Sequence, residues 1–164
     1  MADVLTKEQR SKCMAAVKGK NTKPEIIVRK FLFSKGLRYR LHDKKLPGHP
    51  DIVLKKYKTV IFIDGCFWHG HDGCSLFKMP KSNKFYWENK IKHNKARDIA
   101  NDYVLSTMGW KVIRIWECEI KNTSVRIPFL EKIYSRITTF YPSFNYSVPE
   151  LPSHLAAEPS EDYN

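Results

Sequence analysis

The sequence predicts an α/β domain, a central mixed β-sheet flanked by helices, and three observations carry that prediction. Apolar runs of strand length, rich in Ile and Val, stand at 51–54, 59–63 and 111–116. Longer stretches with helical periodicity flank and separate them. Glycine and proline punctuate the joins, at Gly36, Pro47, Gly48 and Gly109. With 164 residues, 42% of them hydrophobic, the chain is long enough for one domain with a true core.

In order, residues 6–18 read as a basic helix with Met14 and Val17 on one side; Cys13 lies on it as an ordinary helical residue. A second helix starts at Thr22. There Thr-Lys-Pro-Glu sets Glu25 three residues after a capping threonine, so that each side chain serves the other's backbone N–H. The helix runs through Ile27, Phe31 and Leu32 and stops at Gly36. Leu37–Leu41 alternates as a strand does. After the Pro47-Gly48 turn, 51–54 and 59–63 are two strands joined as a hairpin through Lys55–Lys58. The 64–80 segment is a loop, 82–108 a long helix ending at Gly109, 111–116 a buried strand and 125–138 a last helix. Residues 1–141 form the domain. The 142–164 tail, with Pro142, Pro149, Pro152 and Pro159 among polar and acidic residues, reads as disordered.

Charge narrows the function. The formal net charge is +12, and the tail, with Glu150, Glu158, Glu161 and Asp162 but no Lys or Arg, contributes −4, leaving +16 on the domain. Such an excess opposes compaction unless a polyanion meets it, and nucleic acid is the partner that fits; solubility alone is the plainer alternative. No apolar stretch approaches the roughly 18 residues of a membrane span, and the first residues show no apolar signal region. The expectation is a cytoplasmic protein.

Chemistry concentrates between Asp64 and Cys74, where two thiols, two imidazoles, two carboxylates and Phe67-Trp68 stand among glycines. Cys66, His71 and Cys74 on this loop, with Cys118 after the last strand, are a donor set for a structural, tetrahedral zinc site. Spacing alone leaves His69 as a competing imidazole. Thiols serving as small apolar groups suit so polar a neighbourhood poorly. Asp51 heads an apolar strand behind Pro50, where a carboxylate can bind Mg²⁺ or simply finish a turn. Glu25 is open in the same way, since capping explains it without catalysis. His69 titrates in the range needed to activate water. Phe67-Trp68 suits a wedge between stacked bases. Trp87 taken alone reads as a core residue of the long helix, and Trp110 and Trp116, flanking a buried strand, as core.

Arg10-Ser11-Lys12, Met14, Asn21-Thr22, Glu25 and Leu46–Asp51 resemble the very-short-patch repair endonucleases, the bacterial T:G mismatch nickases. So do Gly65–His69, Phe77-Lys78, Trp87, Lys90-Ile91, Asn94, Arg97-Asp98, Gly109-Trp110 and Trp116–Cys118. The match runs in order over about 1–140 and excludes the tail; Cys-Phe-Trp-His with Trp-Glu-Cys is a highly specific pair. The resemblance implies a restriction-endonuclease-like fold with a structural zinc. It implies a Mg²⁺-dependent enzyme that nicks double-stranded DNA 5′ of the mispaired T, repairing deaminated 5-methylcytosine and leaving a 5′-phosphate and a 3′-hydroxyl. A nick in one strand needs only one active site, so a monomer is expected. Carried over by position, Asp51 binds Mg²⁺ with the backbone carbonyl of Ile63, and His69 is the general base with Glu25 in support. Cys66, His71, Cys74 and Cys118 hold zinc. Phe67, Trp68 and Trp87 form the wedge, and Met14 and Lys90 contact the mispaired bases.

Two departures from the family pattern matter. Gly70, Asp72 and Gly73 stand where the best-known member has a run of histidines and one residue fewer, which favours His71 over His69 as the zinc ligand. Ile63-Asp64 replaces Thr-His, so only the Ile63 carbonyl is available to a metal, and Asp64 either points to the site or caps the loop. The alternatives are a nickase of different mismatch, lesion or sequence specificity, and a zinc-containing DNA-binding module without catalysis. The joint presence of Asp51, His69 and Glu25 argues against the last.

Overall fold

The structure, a computed structural model, describes residues 6–139. The expected disordered tail lies outside the described residues, as do the side chains of Cys13 and Met14.

A helix α1 (Lys7–Ala15) precedes α2 (Lys23–Ser34), whose start is built as its capping box dictates. The Thr22 hydroxyl accepts the Glu25 N–H at 3.4 Å, and the Glu25 carboxylate accepts the N–H groups of Thr22 and Asn21 at 3.3 and 3.0 Å. Gly36, at φ +79°, ends the helix in the left-handed conformation that glycine adopts without strain. The chain then forms β1 (Arg40–Leu41), β2 (Ile52–Leu54), β3 (Thr59–Asp64), α3 (Lys84–Thr107), β4 (Lys111–Trp116), α4 (Glu117–Lys121) and α5 (Thr123–Thr138).

The four strands make one sheet in the order β1-β2-β3-β4. The first two pairings are antiparallel; β3 and β4, joined through α3, are parallel. This is the expected mixed sheet flanked by helices. Side chains alternate across it. Ile52, Leu54, Ile61, Ile113 and Ile115 pack with Val28, Leu32, Ile120, Leu130, Ile133 and Ile137 from α2, α4 and α5. On the opposite face Val53, Val60 and Phe62 meet Leu46, Leu105, Trp110 and Val112. Each fully buried aliphatic side chain contributes about 1.5–3 kcal/mol, and covering both faces explains why β2 and β3 read as unbroken apolar runs.

The expected strand at 37–41 shortens to two residues, because Leu37 is drawn into the end of α2: its N–H bonds the Leu32 carbonyl at 3.1 Å and its side chain enters the core. The chain does not leave β4 as a loop. Glu119 accepts the Trp116 N–H at 2.8 Å and starts α4, anchored by buried Ile120. Among the described residues no helix is long and apolar enough to cross a membrane. Because β2 runs against β3 and β4, the start of β2 and the ends of β3 and β4 lie at one edge of the sheet. That edge carries the candidate site.

Candidate active site and metal centre

Asp51 enters β2 behind buried Pro50, and the register places it beside the end of β3. Its Oδ2 accepts the Ile63 N–H at 2.8 Å. Burial pushes this carboxyl up to about 6, and the negative charges of Glu25 and Asp64 push the same way against the Ile63 hydrogen bond and the Arg29 charge. Asp51 lines a cleft of about 900 Å³ with Glu25, His42, Asp64, His69 and Asp98. Lys18, Lys20, Lys44 and Arg97 line the same cleft. Carboxylates beside ammonium and guanidinium groups suit a divalent cation and a phosphodiester together.

Glu25 performs its capping role and is also nearly fully buried at the cleft. Its Oε2 receives Arg29 Nη2, and His42 Nε2 lies 3.7 Å away. Glu25, His42 and Asp51 offer ligand atoms within 4.8 Å of one another. His42 has no counterpart among the residues singled out in the sequence. It follows a two-residue strand with no motif around it, and only the fold brings it to Asp51.

His69 leaves the loop after β3 and meets α3. Its Nδ1 lies 2.5 Å from Asp98 Oδ2 and 3.7 Å from Asp64 Oδ1. Burial alone would lower the imidazole, but the Asp98 hydrogen bond and the two aspartate charges outweigh it and raise the pKa. Asp64 is buried and bound by Arg114 Nη1 at 2.6 Å. Arg114 also donates to both Asp102 oxygens, at 2.8 and 2.9 Å, and lies 4.7 Å from the centre of the Phe62 ring. Asp64 is thus an ionic partner beneath the site and not a loop cap. The described contacts of His69 are to Asp98 and Asp64, while those of Glu25 are to Arg29, Asn21, Thr22 and His42. Asp98 was quoted in the resemblance without a role; Asn94, Asp98 and Asn101 at helical spacing on α3 were the signal that its face is polar and inward.

Cys66, His71, Cys74 and Cys118 bring their ligand atoms within 4.8 Å of one another. His71 Nδ1 stands 3.6 Å from Cys66 Sγ and 3.4 Å from Cys118 Sγ. Three thiols and an imidazole are a donor set for a metal ion. Burial holds the Cys66 thiol up at about 12, and a bound cation would favour the thiolate. His69 turns the other way, to Asp98. Between the two imidazoles, Gly70 at φ +61° passes so close to α3 that a Cβ would lie 2.6 Å from Ile91, so the turn that separates them requires glycine. Asp72 ties the loop to Lys95 at 2.7 Å. The core expectation for Trp116 needs correction. Its ring stacks on His71, 4.1 Å between centroids and 5° from parallel, as a wall of the thiol cluster. Trp110 does pack against the core.

Phe67, Trp68 and Trp87 form one aromatic cluster, with centroids 5.2 to 5.9 Å apart. Trp87 belongs to this partly exposed cluster at the first turn of α3 and not to the main core. Asn94 Nδ2 donates to the Trp68 carbonyl at 2.9 Å. Lys90 is exposed one turn beyond Trp87. Met14 falls among the side chains outside the described set.

Comparison with known proteins matches residues 2–75 to the family model described as DNA mismatch endonuclease Vsr. The chain is 53% identical over 125 residues to "Type II nicking enzyme V.NmeAIP" of Neisseria meningitidis serogroup A, covering 76% of this chain and 89% of that protein. It is 42% identical over 122 residues to "DNA mismatch endonuclease Vsr" of Escherichia coli K12, covering 74% and 78% respectively. The chain belongs to the DNA mismatch endonuclease Vsr family. It is therefore a DNA endonuclease, as the resemblance in its segments implied. The Vsr family match spans Glu25, Asp51, Ile63 and the 64–74 loop, whereas Trp87, Lys90, Asp98 and Cys118 lie beyond it.

Proposed function

We propose that this Vsr-family endonuclease nicks double-stranded DNA 5′ of the mispaired T in T:G mismatches, with Mg²⁺ at Asp51 and a structural Zn²⁺ on Cys66, His71, Cys74 and Cys118. The observation that carries the reading is the meeting of Asp51 and His69, from separate elements, in one cleft lined with basic residues. Bound Mg²⁺ supplies polarisation of the scissile phosphate and charge neutralisation at the leaving oxygen. In a strand a residue's N–H and C=O project to the same side, so the Ile63 carbonyl faces Asp51 as its N–H does and is available to the same ion.

Asp98 holds His69 through Nδ1, which leaves Nε2 to accept a proton from the attacking water. The water oxygen bonds to phosphorus, the P–O3′ bond breaks, and the 3′-oxygen leaves and is protonated, giving a 5′-phosphate and a 3′-hydroxyl. Asp98 stabilises the imidazolium formed in this step, as a carboxylate does for a catalytic histidine elsewhere. Glu25 acts from behind, holding Arg29, whose Nη2 meets His42 beside Asp51.

Mismatch selectivity follows from deformability. Unstacking costs a few kcal/mol per step, less at a poorly stacked mismatch. Insertion of Phe67, Trp68 and Trp87 recovers about 1–3 kcal/mol per base contact. Lys90 and Met14 then contact the exposed bases. A monomer working in the bacterial cytoplasm, on the nucleoid when bound, suffices for cutting one strand.

A panel of duplexes bearing T:G, other mismatches and no mismatch, in varied flanking sequences, tests the reading. Nicking should need Mg²⁺ and prefer T:G strongly over matched DNA. Equal cleavage of matched duplex defeats the specificity, and cleavage of another mismatch in its place selects the alternative nickase.

A further inference from the structure

Glu25, His42 and Asp51 are close enough together for a single cation, yet the hydrogen bonds around them assign the three side chains different tasks. Both Glu25 oxygens are occupied. Oε1 accepts from the Thr22 hydroxyl at 3.0 Å, and Oε2 from the Asn21 N–H at 3.0 Å and from Arg29. Arg29 is 8% exposed, and its Nη2 lies 2.9 Å from His42 Nε2. A guanidinium keeps its protons, and two N–H groups do not face each other at that distance. Nε2 therefore carries the lone pair, and the proton of the neutral ring sits on Nδ1.

His42 Nδ1 lies 3.7 Å from Asp51 Oδ1, beyond a direct hydrogen bond, so the ring flanks that oxygen without bonding it. The backbone repeats the message. His42 is held at φ +47°, a left-handed conformation costing a residue with a Cβ about 1–2 kcal/mol, and its N–H donates to the Asp51 carbonyl at 3.3 Å. Strain of this kind persists only where the surroundings enforce it. Here the main chain meets the Asp51 carbonyl and the ring flanks the carboxylate of the same residue.

We propose that His42 is a positioning residue for Asp51, locked as its Nδ1–H tautomer by Arg29, and is not itself a metal ligand. Ile63 fixes Oδ2, His42 flanks Oδ1, and the remaining lone pairs of Asp51 face the cleft. The catalytic meaning rests on Asp51 as the Mg²⁺ ligand; the tautomer belongs to the metal-free protein and does not.

Nitrogen-15 NMR of the histidine-labelled full chain at pH 7.5, with and without Mg²⁺, reads the tautomer. His42, assigned by the resonances lost in His42→Gln, should show a protonated Nδ1 and a bare Nε2 in both samples. A protonated Nε2, or an Nδ1 stripped of its proton when Mg²⁺ is added, overturns the proposal. His42→Leu should weaken Mg²⁺ binding in calorimetry and lower kcat by about 10–100-fold, with the Kd for DNA unchanged. His42→Gln, whose carbonyl accepts from Arg29 while its amide faces Asp51, should recover most of that loss. Glutamine no better than leucine also overturns the proposal, and if the leucine variant does not fold, the tautomer decides. Asp51→Ala keeps the readings apart: continued nicking by that variant removes Asp51 from the mechanism whatever tautomer His42 shows.

Discussion

The thiol cluster and the Asp51 cleft both gather side chains of metal-ligand type at the same edge of the sheet, but they satisfy their charges in opposite ways. In the cluster, Cys66 and Cys118 lie against His71, with no guanidinium or ammonium among the partners described. At the cleft, Glu25 is bound by Arg29 and Asp64 by Arg114, which also binds Asp102 behind it. The thiols of the cluster would need a cation to ionise together. The cleft carries its own cations and is organised before any metal arrives. The contrast predicts a metal that serves the fold in the first region and the chemistry in the second.

The largest effect tests the first half of this contrast. Cys118→Ser, or removal of the cluster's metal with a strong chelator, should release one zinc per chain and lower the melting temperature by roughly 10 °C or more. Removing Mg²⁺ alone should move it far less. Metal analysis and calorimetry on the same samples check both, and equal shifts would erase the distinction.

Next is the part of the cleft that does chemistry. Asp98→Asn removes the carboxylate that holds His69 Nδ1 and should lower kcat by about 10–100-fold, with zinc content and the KM for DNA unchanged. Asp98 and Asp64 raise the imidazole. A base must be neutral to act, so without Asp98 the acid limb of the pH–rate profile should move to lower pH. A limb that stays in place would mean that it reports another group.

The same contrast explains what the sequence made legible. The cluster shows there because three of its four ligands share one short loop and the fourth is of a rare type. The cap of α2 was legible because Thr22 and Glu25 lie three residues apart. His69 and Asp98 are 29 residues apart, and Arg114 and Asp64 are 50 apart. No local pattern encodes such pairs; the parallel pairing of β3 and β4 and the packing of α3 create them. α4 escaped because five residues are too few for a helical period to show, and β1 was overestimated because Leu37 serves the end of α2. Trp116 was misread for a related reason: a tryptophan beside a buried strand suggests core, and the ring it stacks on comes from a different loop.

The smallest effect concerns Asp51, the cleft carboxylate that its cations leave least satisfied. Its carboxyl is held at about 6 in the fold against an ordinary value of 3.8. A raised carboxyl pKa favours the protonated form of the native state. Relative to that form, the fold is undiminished below about pH 4, loses stability between pH 4 and 6, and bears the full loss above. The shift corresponds to at most about 3 kcal/mol, and solvent at this partly exposed side chain reduces it. Asp51→Asn keeps the acceptor for the Ile63 N–H and removes the charge, although its amide must face the His42 N–H, which returns part of the gain. The metal-free variant should therefore be more stable than the parent by about 1–2 kcal/mol at pH 8, with the difference vanishing at pH 4. Urea titrations across that range measure it, and Mg²⁺ should narrow the gap at pH 8 by stabilising only the parent. Equal stability at pH 8 without metal would show that Asp51 is as well neutralised by its neighbours as Glu25 is, and the cleft would then have no carboxylate left waiting for a cation.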